Sequence, residues 1–187
     1  MTNLKIQELD SKARMYGVKV RFVTNMDAKK IIELRTNLAL SRHISTTNPE
    51  VDKQIQYIND YKIRERNGLE YYFAFSLIGY EEAVGFYRIY SIDYNEKTFT
   101  IGSWIFEHKV LESIPIIADI LSKEFGFLIL NLERCYFDVR RNNKKVMKYH
   151  NLFSPVFIRE DEYENNYYYL DKKDFEKNKN DIIKFLI

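Results

Sequence analysis

The feature that most limits what this chain can fold into lies between residues 98 and 153. There strand, loop, helix, strand and helix follow one another. Thr98 to Ile105 reads as a strand and ends in Gly102-Ser103-Trp104-Ile105. A helix is expected from about Ile114 to Phe127, and a second strand from about Leu132 to Val139. Arg140-Arg141-Asn142-Asn143 then leads into a helix holding Lys144 to His150. A helix between two strands argues for a crossover connection rather than a hairpin.

The rest of the chain fits around this unit. Residues 1–17 alternate charges and read as a short lead-in helix or a loose arm ending at Gly17. Lys19 to Val23 alternates polar with β-branched and aromatic residues, as a half-buried strand does. Asn25 or Asp27 can cap a helix in which Ile31, Leu34 and Leu38 recur at helical spacing. Ser45 to Pro49 is a loop. A second helix spans about Val51 to Arg66, with Ile55, Ile58 and Ile63 roughly on one face and Asn67-Gly68 to end it. Strands follow at Glu70 to Leu77, Ala83 to Ile92 and Thr98 to Ile105, joined closely enough to be antiparallel neighbours. After the crossover come strands at Val156 to Glu160 and Asn165 to Leu170. A terminal helix spans Asp174 to Leu186, with Phe175, Ile182, Phe185 and Leu186 apolar.

Composition narrows the class. At 187 residues, a single domain is the default, here 1–187 with 174–187 as a C-terminal helical extension. The apolar share of 45% supports a real core, and the net charge of +2 argues against a nucleic-acid partner. The basic cluster Arg140-Arg141 with Lys144-Lys145 reads as a solvated helix start or a site for a small phosphate ligand. Cys135 is the only cysteine, so it can form no internal disulfide; within a buried strand it acts as a small apolar filler. No apolar run is long enough to span a membrane, and Met1 to Asp10 lacks the apolar stretch of a signal peptide. A cytoplasmic protein without membrane contact is expected. No His or Cys cluster has metal spacing, so no metal is expected.

Two motifs carry a resemblance. Gly102-Ser103-Trp104-Ile105 resembles the Gly-x-Trp-Ile/Leu end of the fourth strand in GCN5-related N-acetyltransferases, in the branch that modifies ribosomal proteins and amino sugars. Asn143, with Val146 three residues on and His150 seven on, is similar to the signature of that family's last helix. The element order resembles the family over nearly the whole chain. Phe137-Asp138-Val139-Arg140, running into Asn142 to Val146, resembles bacterial members tied to surface polysaccharide biosynthesis. The resemblance implies an α+β fold with α/β/α layers. Its mixed, mostly antiparallel sheet would have about seven strands, flanked by helices and splayed between strands 4 and 5.

It also implies a transferase that moves an acetyl group from acetyl-coenzyme A, the co-substrate, to a primary amine of a small acceptor. A nucleotide-linked amino sugar is the first acceptor class it suggests, and a protein N-terminus or an aminoglycoside the next. Such a site must hold a long anionic molecule, stabilise charge on the thioester oxygen, and manage one proton leaving the amine and one reaching the thiolate. The family resemblance assigns the cofactor arm to the backbone at Trp104, Ile105 and Phe106, and the pyrophosphate to the helix start at Leu111, Ser113 and Ile114. Arg141, Asn142, Asn143 and Val146 complete that set. Helix N-termini attract anions through unpaired amides. The family's loop is rich in glycine and carries a basic residue; Val110-Leu111-Glu112-Ser113 has neither, and Glu112 repels phosphate. A binding module that kept the fold and lost catalysis is therefore a competing expectation.

For the proton, the family places a tyrosine seven residues after the helix asparagine. Here His150 stands at that spacing, with Tyr149 beside it. An unperturbed histidine exchanges protons near neutrality; the plainer reading makes His150 a partly buried helix residue and Tyr149 a core residue. On the acceptor side, Arg35 and Arg42 suit phosphate oxygens, with surface ion pairing as the alternative. His43 lies in the region that the family uses to grip its acceptor. Trp104 is either core or an acceptor wall. A monomer or a homodimer is expected.

Overall fold

The computed structural model describes residues 2–185 of the chain. Helix α1, Thr2–Arg14, packs beside strand β1, Val18–Phe22. A short 3₁₀ turn leads to α2, Ala28–Thr36, then α3, Leu38–Ser41, and α4, Val51–Arg66. Strands β2, Tyr71–Leu77, β3, Gly85–Asp93, and β4, Thr98–Phe106, form an antiparallel meander. Helix α5, Ser113–Glu124, crosses to β5, Arg134–Arg140. Helix α6, Lys144–His150, strands β6, Val156–Glu160, and β7, Asn165–Asp171, and helix α7, Lys172–Lys184, complete the chain.

The seven strands form one sheet in the order β1-β2-β3-β4-β5-β7-β6. Every neighbouring pair is antiparallel except β4 and β5, which the α5 crossover makes parallel. This is the mixed, mostly antiparallel sheet expected from the sequence. Pairing of β4 with β5 covers only Thr98↔Arg134, Phe99↔Cys135 and Thr100↔Tyr136. Beyond Thr100 the two strands part, so the sheet is open where a zipped pair would have closed it.

Side chains alternate across the strands and fill two cores. One face of the sheet puts Phe73, Phe75, Tyr87, Phe99 and Phe137 against α1, α5, α6 and α7. The other puts Tyr72, Ala74, Phe86 and Ile105 against Ile31 and Leu34 of α2 and Ile58 and Tyr61 of α4. After Glu124 the helix runs on into a π-helical turn, Phe125–Ile129, which seats Phe125 and Phe127 in the first core. Gly126 is required in that turn: a Cβ there would stand 2.4 Å from the Phe99 ring.

Several local readings change. The helix with Ile31 and Leu34 does not reach Leu38. It stops at Thr36, and Asn37 caps α3 by accepting a hydrogen bond from the Ala39 amide. The break turns Leu38 outward, 87% exposed. In α4 the buried stripe is Gln54, Ile58 and Tyr61, while Ile63 faces solvent. Residues 2–14 are helix rather than a loose arm, and Leu9 and Ala13 are fully buried. In α7, Phe175 and Ile182 are buried; Phe185, just past its end, is exposed, and Leu186 lies outside the described residues.

Candidate active site

The gap between β4 and β5 opens into a cavity of about 660 Å³ that reaches both faces of the sheet. A bulge marks its edge. Phe86 pairs with Ile105 but Arg88 pairs with Gly102, so β4 carries an extra residue there. Ser103 takes it up at φ 53°, a left-handed conformation uncommon for a residue with a side chain. Sheet pairing is thus distorted where β4 borders the cavity.

On the α5/α6 face the wall is Trp104, Phe106, Val110, Pro115, Ile116, Phe137, Val139 and Val146, largely apolar. Trp104 Nε1 donates to the Pro115 carbonyl oxygen at 3.1 Å, tying β4 to the first turn of α5. Asn143 caps α6: its side-chain oxygen accepts from the Val146 amide at 3.4 Å. The Asn-x-x-Val spacing is therefore first of all a helix start, and both residues border the cavity.

The start of α5 sets unpaired amides beside a carboxylate. No amide of residues 108–113 donates to a main-chain carbonyl among the described residues. Free amides ahead of a helix favour negative charge. The Ile114 amide, by contrast, is taken by the Leu111 carbonyl at 2.9 Å, and Pro115 has none to offer. Glu112 lines the cavity, but Lys145 of α6 holds its carboxylate at 2.8 Å and its proton affinity below the usual range.

Behind this wall lies a buried polar cluster. Asp119 and Lys123, one turn apart on α5, have no exposed side-chain surface, and their ion pair measures 2.6 Å. Tyr87 of β3 donates its hydroxyl to Asp119 Oδ1 at 2.5 Å, and Tyr149 of α6 donates to Oδ2. Lys123 Nζ also lies 3.4 Å from His150 Nδ1, at the long end of hydrogen-bonding range. Burial alone would push the Asp119 carboxyl up, but Lys123, His150 and the hydrogen bonds from Lys123 and Tyr149 hold it below the usual range. The Tyr149 phenol is pushed well up by burial and by Asp119.

His150 borders the cavity beside Tyr149. Its ring lies 4.5 Å from that of Phe137 and 5.8 Å from that of Trp104, centre to centre. The expectation that it titrates near neutrality does not hold. Burial, and then the Lys123 cation, push it down to about 3. At neutral pH the ring is uncharged.

The opposite mouth is more polar. His43, Ser45, Arg88, Tyr90, Asp138 and Arg140 line it. Burial, Arg42 and Arg140 push His43 down, and its buried Nδ1 has no partner among the described residues. The Asp138 carboxyl is pushed up by burial and by Asp161. Arg88 stacks on the Tyr90 ring at 4.4 Å and pairs with Glu70.

Of the residues singled out from the sequence, the cavity gathers His43, Trp104, Phe106, Arg140, Asn143, Lys145, Val146, Tyr149 and His150. The other candidates are not among the lining residues, though for those assigned through their backbone the side chain decides nothing. Ile105 points into the α2/α4 core and Ile114 into the other. Leu111, Arg42 and Asn142 are exposed, Ser113 is half-buried, and Arg141 pairs with Glu160. Arg35 does not line the cavity. It donates to Thr47, to the Ser45 carbonyl and to Ser103 Oγ, and so holds the loop after α3 onto β4. Asp119, Lys123, Tyr87, Arg88 and Asp138 were not anticipated. The one signal for the first two was a pair of opposite charges four apart, Asp119 and Lys123, in a largely apolar stretch, Ile114 to Phe127.

No protein-family model matches the sequence, and no curated protein does. Solved structures do. FdhC, described as a nucleotide-linked sugar GNAT in its apo form, is 33% identical and superposes with a TM-score of 0.80, covering 91% of this chain and 96% of that one. RimJ of Mycobacterium smegmatis, in complex with CoA-disulfide, is 16% identical with a TM-score of 0.71 over 83% of this chain and 82% of its own. A mutant of the spermidine N-acetyltransferase SpeG from Vibrio cholerae is 15% identical with a TM-score of 0.70, covering 86% of this chain and 97% of that one. The last two show the fold alone. Among the described residues no helix is long and apolar enough to cross a membrane, and no group of acidic, His or Cys side chains could hold a metal.

Proposed function

Because the chain belongs to the GCN5-related N-acetyltransferases, we propose that it moves an acetyl group from acetyl-coenzyme A to the primary amine of a nucleotide-linked amino sugar. The observation that carries this reading is the parting of β4 from β5 after three residue pairs, with His150 on the wall of the resulting cavity. The acceptor class rests on the likeness to FdhC.

The lining of the cavity suits the reacting parts of such substrates. The apolar α5/α6 wall suits a pantetheine arm, and the unpaired amides before α5 suit its phosphates. In the reaction a C–N bond forms and the C–S bond breaks; the amine loses a proton and the sulfur gains one. His43, uncharged at the polar mouth, stands to take the first. His150 stands on the other wall to serve the second, since Tyr149 spends its hydroxyl on Asp119. Arg88 and Arg140 offer cations to an acceptor phosphate.

One observation favours a second reading, a binding module without turnover: Glu112 at the cavity edge, where an anion would bind. Thermal shift and thiol release decide together. With acetyl-coenzyme A at ~1 mM, a protein that binds it melts higher. Release of free thiol should then require an amino-sugar nucleotide and not spermidine or an aminoglycoside. A thermal shift without thiol release for any amine would favour the module, and no thermal shift would overturn both readings.

A further inference from the structure

Lys123 is the least expected side chain in the molecule: a lysine with no exposed surface, between α5 and α6. Removing an ion pair from water costs several kcal/mol per ion, and apolar replacements are often as stable. The pair is thus poorly explained as a source of stability. Its geometry offers another account. The ammonium is clamped by Asp119 on one side and meets His150 Nδ1 on another, while the rings of Phe153 and Tyr149 lie 4.9 Å and 5.6 Å away.

We propose that Lys123 is a positioning residue that fixes the tautomer of His150, leaving its hydrogen on Nε2 at the cavity side, and resupplies that hydrogen through Nδ1. This rests on the acetyl-transfer reading and deepens it. An ammonium can only donate, so Nδ1 must accept, and in an uncharged ring the hydrogen is then on Nε2. An uncharged imidazole is a poor acid by itself. With Lys123 behind it the transfer balances: the departing sulfur takes the Nε2 hydrogen, Nδ1 takes one from the ammonium, and Lys123 is left as an amine beside Asp119. The proton released by the amine returns to Nε2 through solvent, and Nδ1 returns its own to the lysine. The spacing motif thus locates His150, but its competence comes from a residue on another helix.

The groups that face this pair are few. Asp119 comes from the same helix, Tyr149 from α6, Tyr87 from β3, and the Cys135 thiol from β5. Burial pushes that thiol above its usual range, so it stays protonated.

Nitrogen-15 NMR of histidine-labelled protein tests the assignment without any substrate. The chain has three histidines, and His150→Gln identifies the signal. In the native protein His150 should be the Nε2–H tautomer and should not titrate between about pH 5 and 8. In Lys123→Met, and in the Asp119→Asn/Lys123→Met double variant, which buries no charge pair, it should lose that single tautomer. An Nδ1–H tautomer in the native protein, or one unchanged in either variant, would overturn the proposal. If Lys123→Met does not fold, the native tautomer and the double variant still decide. In turnover, the double variant should lose about tenfold to hundredfold in kcat with the KM for acetyl-coenzyme A unchanged; unchanged kcat would refute the resupply of hydrogen. Absence of turnover in the native protein would instead refute acetyl transfer and leave the tautomer result standing.

Discussion

Two carboxylates in this molecule gather a cation and a phenol, and they do so under opposite conditions. Glu70, just before β2, accepts from Arg64 Nε at 2.6 Å and from the Tyr57 hydroxyl at 3.4 Å, with Arg88 at 3.5 Å. Its own side chain is covered, but its arginine partners are 37% and 24% exposed. Asp119 accepts from Lys123, Tyr87 and Tyr149, and neither member of its ion pair touches water. Water can replace what Glu70 loses. Asp119 has no exposed surface through which water could do the same. One cluster ties α4 to the sheet, and the other holds the back of the cavity.

Breaking each cluster should therefore give unequal losses. Asp119→Ala leaves Lys123 as a buried cation without a counter-charge, and unfolding in urea should show about 3–5 kcal/mol less stability. Asp119→Leu with Lys123→Met should recover most of it; no recovery would mean that the cost lies in packing.

Acid should sharpen the contrast further. His150 is pushed down to about 3 by burial and Lys123, whereas an unfolded histidine titrates near pH 6.5. Between those values the unfolded chain binds the extra proton, so stability falls as pH drops from about 6.5 toward 3. Asp119, held below the usual carboxylate range, adds to the loss below about pH 4. A plot of Tm against pH should be flatter for His150→Gln over the upper part of that limb. An identical slope would mean that His150 binds its proton as readily in the native state as in the unfolded chain. The smallest effect is expected at the wetter cluster: Glu70→Gln should cost about 1–3 kcal/mol. A loss equal to that of Asp119→Ala would erase the distinction.

The same contrast explains what was legible in the sequence. Strands and helices announced themselves by periodicity, and their ends shifted by a residue or two, because hydrogen-bond ladders outrun or fall short of the apolar pattern. The crossover at α5 was legible because a helix sits between two strands. Leu38 misled because helical spacing continued across Asn37, where the backbone turns away. Within the site, Asn143 and His150 were legible through the family resemblance carried by their spacing, and both border the cavity. Lys123 and Asp119 were not, since opposite charges four apart are the ordinary pattern of a solvated helix face. Only the sheet and α6, closing over α5 from distant parts of the chain, make that pair dry. Arg35 reads as a phosphate ligand by type, yet its donors are turned to the loop after α3 and to Ser103.

The single tryptophan of the chain sits on the cavity wall, with its ring centre 5.5 Å from that of Tyr149. Its indole is anchored at Nε1, while the rest of the ring borders the open space. Excitation at the red edge of the aromatic band therefore interrogates one position only, with no label attached. Any molecule entering the wedge alters the emission of that indole, so occupancy can be followed as a change in colour and brightness during an ordinary titration.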